Sequence, residues 1–162
     1  MNIYDNEWDV ERDYGGPRVR MMHLGRRLGG ELLGATVFEI ESGFPNIYHF
    51  HYGNEEWALV LDGTLVMRTP DGERELRKGD VAVFPRGPQG AHALANRSGE
   101  VCRVAVFSSM RHPDVVVYPD TGMVGAIAEE PPTAGRDAPF EAFFRMDDRL
   151  GDYSEVAGHT TD

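Results

Sequence analysis

Between Leu32 and Phe107 the chain never runs long without a turn signal, and this spacing limits the fold more than any other feature. Short apolar or alternating runs occupy Leu33 to Ile40, Ile47 to His51, Trp57 to Leu61, Thr64 to Arg68, Glu73 to Leu76, Val81 to Phe84, Ala91 to Asn96 and Val101 to Phe107. Between them stand Ser42-Gly43, Tyr52-Gly53-Asn54, Asp62-Gly63, Pro70-Asp71-Gly72, Lys78-Gly79-Asp80, Pro85 to Gly90 and Arg97-Ser98-Gly99. Runs this short suit strands, and Asp-Gly is a favoured hairpin turn. No helical-period segment separates them, so a βαβ alternation is excluded and an all-β sandwich or barrel is expected.

The flanks read differently. Residues 1–30 mix charge, glycine and the arginines Arg18, Arg20, Arg26 and Arg27, and are expected to form an N-terminal arm with at most one short strand. Residues 31–118 form the central domain. Residues 119–162 form a C-terminal extension that begins with the loop-like Pro119-Asp120-Thr121-Gly122 and ends in a partly disordered tail from Gly151. Within it Phe140, Phe143 and Phe144 recur at helical spacing and predict one short amphipathic turn.

A chain of 162 residues with 41% hydrophobic content builds one domain with a real core. Its formal net charge of −11 excludes nucleic acid and anionic membranes as partners, because both require basic surfaces. The single cysteine, Cys102, lies in the apolar run Val101 to Phe107, so no intrachain disulfide is expected and the thiol reads as a strand residue in a reducing compartment. The polar, acidic start Met1-Asn2-Ile3-Tyr4-Asp5 lacks a secretory pattern, and no apolar run approaches the roughly 18 residues of a membrane span. A cytoplasmic location follows as the expectation.

The chemistry concentrates in His49-Phe50-His51-Tyr52-Gly53-Asn54-Glu55-Glu56 and in His92. Strand side chains alternate between faces, so His49 and His51 point the same way. Glu56 opens the next strand after a tight turn and can aim back at them. His92 opens a later strand and can close the site. Alternation favours Glu56 over its neighbour Glu55 as the carboxylate. Three imidazoles and one carboxylate suit one divalent transition metal: Mn, Fe, Ni, Cu or Zn. One negative ligand against a divalent ion leaves a net positive centre, which favours an anionic or enolisable substrate. The other histidines, His23, His112 and His159, lack this frame and read as solvent or packing residues.

These residues also carry a resemblance. Gly43-x5-His49-x-His51-x4-Glu56-x6-Gly63 resembles the first motif of the cupin superfamily in every residue type and spacing. Gly79-x5-Pro85-x-Gly87 and His92-x3-Asn96 resemble the second, with one departure: the four residues Pro88-Gln89-Gly90-Ala91 stand where the family commonly has two. The resemblance implies a double-stranded β-helix, or jelly roll, with the metal held inside one end by His49, His51, Glu56 and His92. Phe84, Arg86 and Gln89 fall near the expected mouth as candidate substrate contacts. Phe50 and Trp57, opposite the ligand face, would be covered by the N-terminal arm or by a second subunit, since cupins commonly form homodimers. The family includes dioxygenases, decarboxylases, isomerases and non-enzymatic binders, and fold alone does not choose among them. The expected function is a dioxygenase- or decarboxylase-like enzyme acting on a small organic acid. The alternatives are a metal-anchored binder of a small acid or sugar, and a sugar or keto-sugar isomerase.

Overall fold

The computed structural model describes residues 1–13, 15–44, 47–128 and 141–148. In chain order its strands are β1 (Val10–Asp13), β2 (Arg18–His23), β3 (Gly34–Ile40), β4 (Phe50–His51), β5 (Glu56–Asp62), β6 (Thr64–Thr69), β7 (Gly72–Arg77), β8 (Val81–Phe84), β9 (Ala93–Ala95), β10 (Cys102–Ser108), β11 (Asp114–Tyr118), β12 (Met123–Ile127) and β13 (Glu141–Arg145). One helix, α1 (Leu24–Leu28), joins β2 to β3. The first layer is a six-stranded antiparallel sheet ordered β1-β2-β3-β10-β5-β8. The second consists of β7-β6-β9 and β13-β12-β11-β4. These two smaller sheets meet at one antiparallel residue pair, His49 with His92. The His49 N–H donates to the His92 carbonyl at 3.0 Å, and the reverse bond is 2.9 Å. The expected all-β jelly roll is what the chain forms.

The layers are held together by the inward half of each alternating pattern. Ala58, Val60, Ala82 and Val104 of the first layer pack against Leu65, Met67, Leu76 and Leu94 of the second. Burying a leucine such as Leu65 or Leu76 is worth about 1.5–3 kcal/mol. Along β5 the alternation is strict. Ala58 and Val60 enter this core, while Leu59 and Leu61 join a separate cluster on the outer face.

The N-terminal residues are more than an arm. β1 and β2 pair with each other, and β2 continues the sheet beside β3, so the expectation of at most one short strand is corrected. The charge content that hid these strands is organised by sheet register. Glu11 lies opposite Arg20, Arg20 opposite Glu39, and Glu39 opposite Arg103. Cross-strand pairs of opposite sign stabilise a sheet, so a charged sequence forms strands here. Arg20 reaches Glu39 at 3.0 Å, and Arg103 reaches it at 2.7 Å. Beyond β1, Ile3 and Trp8 pack on Met22, Val37, Leu61 and Ala105, covering that face of the first layer. Trp57 nonetheless stays 46% exposed, whereas Phe50 is buried with Tyr48 and Val117 on the outer side of the second layer.

The C-terminal expectation also changes. Phe143 and Phe144 lie in β13, opposite Gly125 and Val124 of β12, so they form a strand rather than a helical turn. Gly125 leaves room for the Phe143 ring, which sits where a Cβ at that position would collide with it. That cross-strand packing overrides the helical spacing. Phe140 and the tail from Gly151 lie outside the described residues. Cys102 is fully buried and donates to the Asp62 carbonyl at 3.0 Å. Burial, then the charge of Asp62, pushes its thiol up to about 12, consistent with a packing role.

The segment from Pro85 to Ala91 decides where His92 lands. Gly87 adopts φ +87°, a left-handed value that glycine accepts without strain, and its N–H donates to the His51 carbonyl at 2.7 Å. Pro88–Gly90 then coils into a 3₁₀ turn, which absorbs the two extra residues. The chain re-enters the sheet with His92 opposite His49. A Cβ on Gly90 would lie 1.6 Å from the Pro85 carbonyl oxygen, so the turn closes only around glycine. Gly90→Ala is expected to destabilise the protein by about 1–3 kcal/mol or more, by forced backbone movement. Chemical denaturation of the variant checks this, and an unchanged midpoint would contradict the turn geometry.

Candidate metal centre

His49 and His92 are side-by-side neighbours because their backbones pair, and their rings stand 4.7 Å apart between centroids. His51 is two residues along from His49 on the same face of the strand. Its ring meets that of His49 edge-on at 5.1 Å. All three imidazoles come from the second layer. Glu56 comes from the first layer, at the start of β5, and reaches across. Its Oε2 lies 3.4 Å from His92 Nε2, 3.6 Å from His51 Nε2 and 3.9 Å from His49 Nε2. The structure therefore brings together all four residues singled out from the sequence. Glu55 stands apart, exposed, with its Oε1 accepting the Trp57 indole N–H at 2.7 Å.

The other ring nitrogens set the tautomers. His49 Nδ1 lies 2.9 Å from the Ile47 carbonyl, and His92 Nδ1 lies 3.0 Å from the Gly90 carbonyl. His51 Nδ1 lies 2.6 Å from Asp114 Oδ2. Each of these oxygens is an acceptor, so each Nδ1 carries the proton and each Nε2 turns a lone pair toward Glu56. Ligand atoms about 2.1 Å from a shared ion stand about 3.0–3.4 Å apart. Glu56 Oε2 lies near that spacing from each of the three Nε2 atoms, and the chemistry of the set fits a divalent transition metal. The ligand atoms of His49, His51 and Glu56 alone all fall within 4.8 Å of one another.

Electrostatics point the same way. Burial, reinforced by the neighbouring His92, pushes His49 down to about 4, so it is neutral at pH 7. Burial also acts to lower His51, but the Asp114 and Glu56 carboxylates outweigh it and hold that imidazole above its ordinary value. Burial would raise Glu56, yet the three imidazoles around it hold it below the usual carboxylate range. A carboxylate and three imidazoles turned inward on one another is a costly arrangement without a cation to share.

Asp114 is a residue of the candidate site that the sequence does not reveal. It is buried at the start of β11, and its carboxylate accepts from His51, from the Gly53 N–H at 2.8 Å and from Asn54 Nδ2 at 2.8 Å. Burial opposes ionisation, but these bonds prevail and hold Asp114 at about 2. Asn54 is fixed in turn by the Arg111 N–H at 2.6 Å and the Ser109 hydroxyl at 3.1 Å, both donating to its Oδ1. The one local signal was an aspartate opening the apolar run Val115-Val116-Val117. Nothing in its spacing from His51 reveals the contact.

The four residues face a cavity of about 640 Å³. Most of its wall is apolar, including Val19, Met21, Phe38, Ile40, Leu94, Val104, Val106 and Val116. Tyr118 also lines it, with its ring 6.1 Å from that of His49, and was missed because it follows the strand run that the sequence delimits. Burial, then Glu141 and Asp114, raises its phenol, which remains a neutral donor. Of the three expected substrate contacts, none is in the wall. Phe84 is buried and stacks on the back of His92 at 3.6 Å, whereas Arg86 and Gln89 are exposed, with Gln89 Nε2 donating to the Arg86 carbonyl. The loop that leads into and through the 3₁₀ turn keeps those two residues out of the cavity wall.

Comparison with known proteins agrees with this geometry. Residues 36–108 match the model of the cupin domain. No curated protein sequence matches the chain. Among solved structures, a sugar phosphate isomerase of the cupin superfamily from Silicibacter pomeroyi superposes with a TM-score of 0.72 at 24% identity, covering 91% of this chain and 93% of that one. The polyketide cyclase RemF from Streptomyces resistomycificus superposes with a TM-score of 0.54 at 26% identity, covering 70% of this chain and 81% of that one. None of the described helices is long and apolar enough to cross a membrane. With its jelly-roll layers and its matched motifs, the chain is a small protein that carries a cupin domain over residues 36–108.

Proposed function

We propose that this protein is a metal-dependent enzyme acting on an organic acid or enolisable carbonyl compound with an apolar body. The observation that carries the proposal is the convergence of His49, His51, Glu56 and His92 on one point at the end of an apolar cavity. A divalent ion held there supplies a Lewis acid for a substrate oxygen. The residues of the chain do the remaining work. The Nδ1–H bonds of the three histidines orient their rings before any ligand arrives. The apolar wall excludes water and strengthens each electrostatic contact inside. The Tyr118 phenol stands where it can donate to, or receive a proton from, a substrate beside His49.

The wall decides between substrate classes. A sugar needs many hydrogen-bonding partners, and this surface offers few, so the isomerase reading on a sugar loses support. An acid or polyketone with an aryl or alkyl body matches it, and the 26% identity with a polyketide cyclase supports that direction. Tyr118 favours a proton-transfer reaction, decarboxylation or enolisation, over oxygenation.

Protein purified without chelator is expected to contain about one equivalent of transition metal. It should exchange the α-protons of aryl β-keto acids for deuterium, or decarboxylate them, without oxygen uptake. His51→Ala combined with Glu56→Ala should lose both metal and exchange; full metal retention in that variant sinks the site assignment. Oxygen uptake by the wild type would instead point to oxygenation. Asp114→Asn probes the support of His51. It should weaken metal affinity about tenfold to a hundredfold, by removing the acceptor that orients the ring, with the fold retained. Competition with a metallochromic chelator reads this, and an unchanged affinity would show that Asp114 serves packing alone.

A further inference from the structure

We infer that Arg12 anchors a carboxylate at the end of the substrate remote from the metal centre, and that the ligand is an elongated organic anion with an apolar middle. Arg12 lines the cavity from β1, the edge strand of the first layer. Its register partner is Val19, and directly opposed residues in an antiparallel pair share a face. Val19 also lines the cavity, so both belong to the inner face of the sheet. The neighbouring arginines of the outer face are occupied: Arg18 bonds Glu41, and Arg20 bonds Glu11 and Glu39. The Arg12 guanidinium has no hydrogen bond or ion pair to another described residue, and Arg12 is the one lysine or arginine in the described wall. An open guanidinium fork at an apolar cavity matches the planar, bidentate geometry of a carboxylate. A phosphate dianion would require a second cation, which the described wall lacks.

The position of Arg12 gives the ligand its length. Glu56 lies opposite Ser108, and Ser108 opposite Gly34, at one end of β3. Arg12 lies opposite Val19, and Val19 opposite Ile40, at the other end of β3. The two side chains are therefore separated both across the sheet, over four interstrand steps of about 4.8 Å, and along it. An acid of two or three carbons cannot touch both. A ligand with a carboxylate on Arg12, an alkyl or aryl body against Val19, Ile40 and Val104, and a reactive oxygen at His49, His51, Glu56 and His92 uses the whole cavity. Which end reacts rests on the proposed metal centre; the contact with Arg12 does not.

The test uses alkyl hydroxamates, whose head group chelates metal, with a tail of about eight or about two methylenes ending in either carboxylate or methyl. Calorimetry is run on metal-reconstituted and on chelator-treated protein. For the long tail, the carboxylate is expected to bind about tenfold or more tighter than the methyl compound. Arg12→Gln should abolish that preference and leave methyl-tail binding unchanged, while Arg12→Lys should keep part of it. Because Arg12 needs no metal, the preference should persist in chelator-treated protein at lower overall affinity. A preference that survives Arg12→Gln, is absent in wild type, or is as large for the short tail would overturn the inference. Failure of the metal-centre reading has a different signature: the hydroxamate head would bind no better than a carboxamide head, whatever the tail does.

Discussion

The backbone pairing of His49 with His92 is the contact on which the rest of the arrangement depends. It joins the two smaller sheets of the second layer at a single residue pair. It also places two imidazoles beside each other without help from either side chain. The pairing is made possible by the turn before it. Gly87 supplies a left-handed backbone, and Gly90 admits the close approach of the Pro85 carbonyl. Glu56 answers from the opposite layer, so the candidate centre stands between the two halves of the sandwich rather than on one of them. A cation shared there would bind the layers together as well as serve chemistry.

Electrostatic balance explains why so much of the neighbourhood is polar yet buried. Bringing Glu56 and three imidazoles out of water is unfavourable unless each is oriented and neutralised. Asp114 carries much of that task through His51, and Asn54 holds Asp114 in place. Away from this cluster the wall becomes apolar, and among its described residues charge returns only at Arg12. A cavity charged at its two ends and apolar between them selects for ligands of the same pattern.

Much of this was legible in the sequence. Alternation put His49 and His51 on one face, placed Glu56 inward and Glu55 outward, and marked β3 and β5 to β10 closely. Those signals are local, with periods set by the strand itself. The missed features depend on contacts distant in sequence. Asp114 meets His51 only because β11 pairs with β4, and no spacing announces that pairing. β1 and β2 were hidden by arginines and glutamates that look like solvated loop until sheet register sets them opposite one another. Phe143 and Phe144 kept a helical interval by coincidence, and pairing with β12 decided their state. Arg86 and Gln89 were placed near the mouth by sequence proximity to His92. The loop and 3₁₀ turn that deliver His92 inward leave them exposed.

In the proposed centre, three imidazoles from one layer and one carboxylate from the other share a single ion. Anomalous diffraction from crystals of metal-reconstituted protein, collected on both sides of the metal absorption edge, tests it most directly. One strong peak per chain is expected, bounded by the Nε2 atoms of His49, His51 and His92 and by Oε2 of Glu56. A peak elsewhere, a peak coordinated by Glu55 in place of Glu56, or no peak at this position in metal-loaded crystals would contradict it.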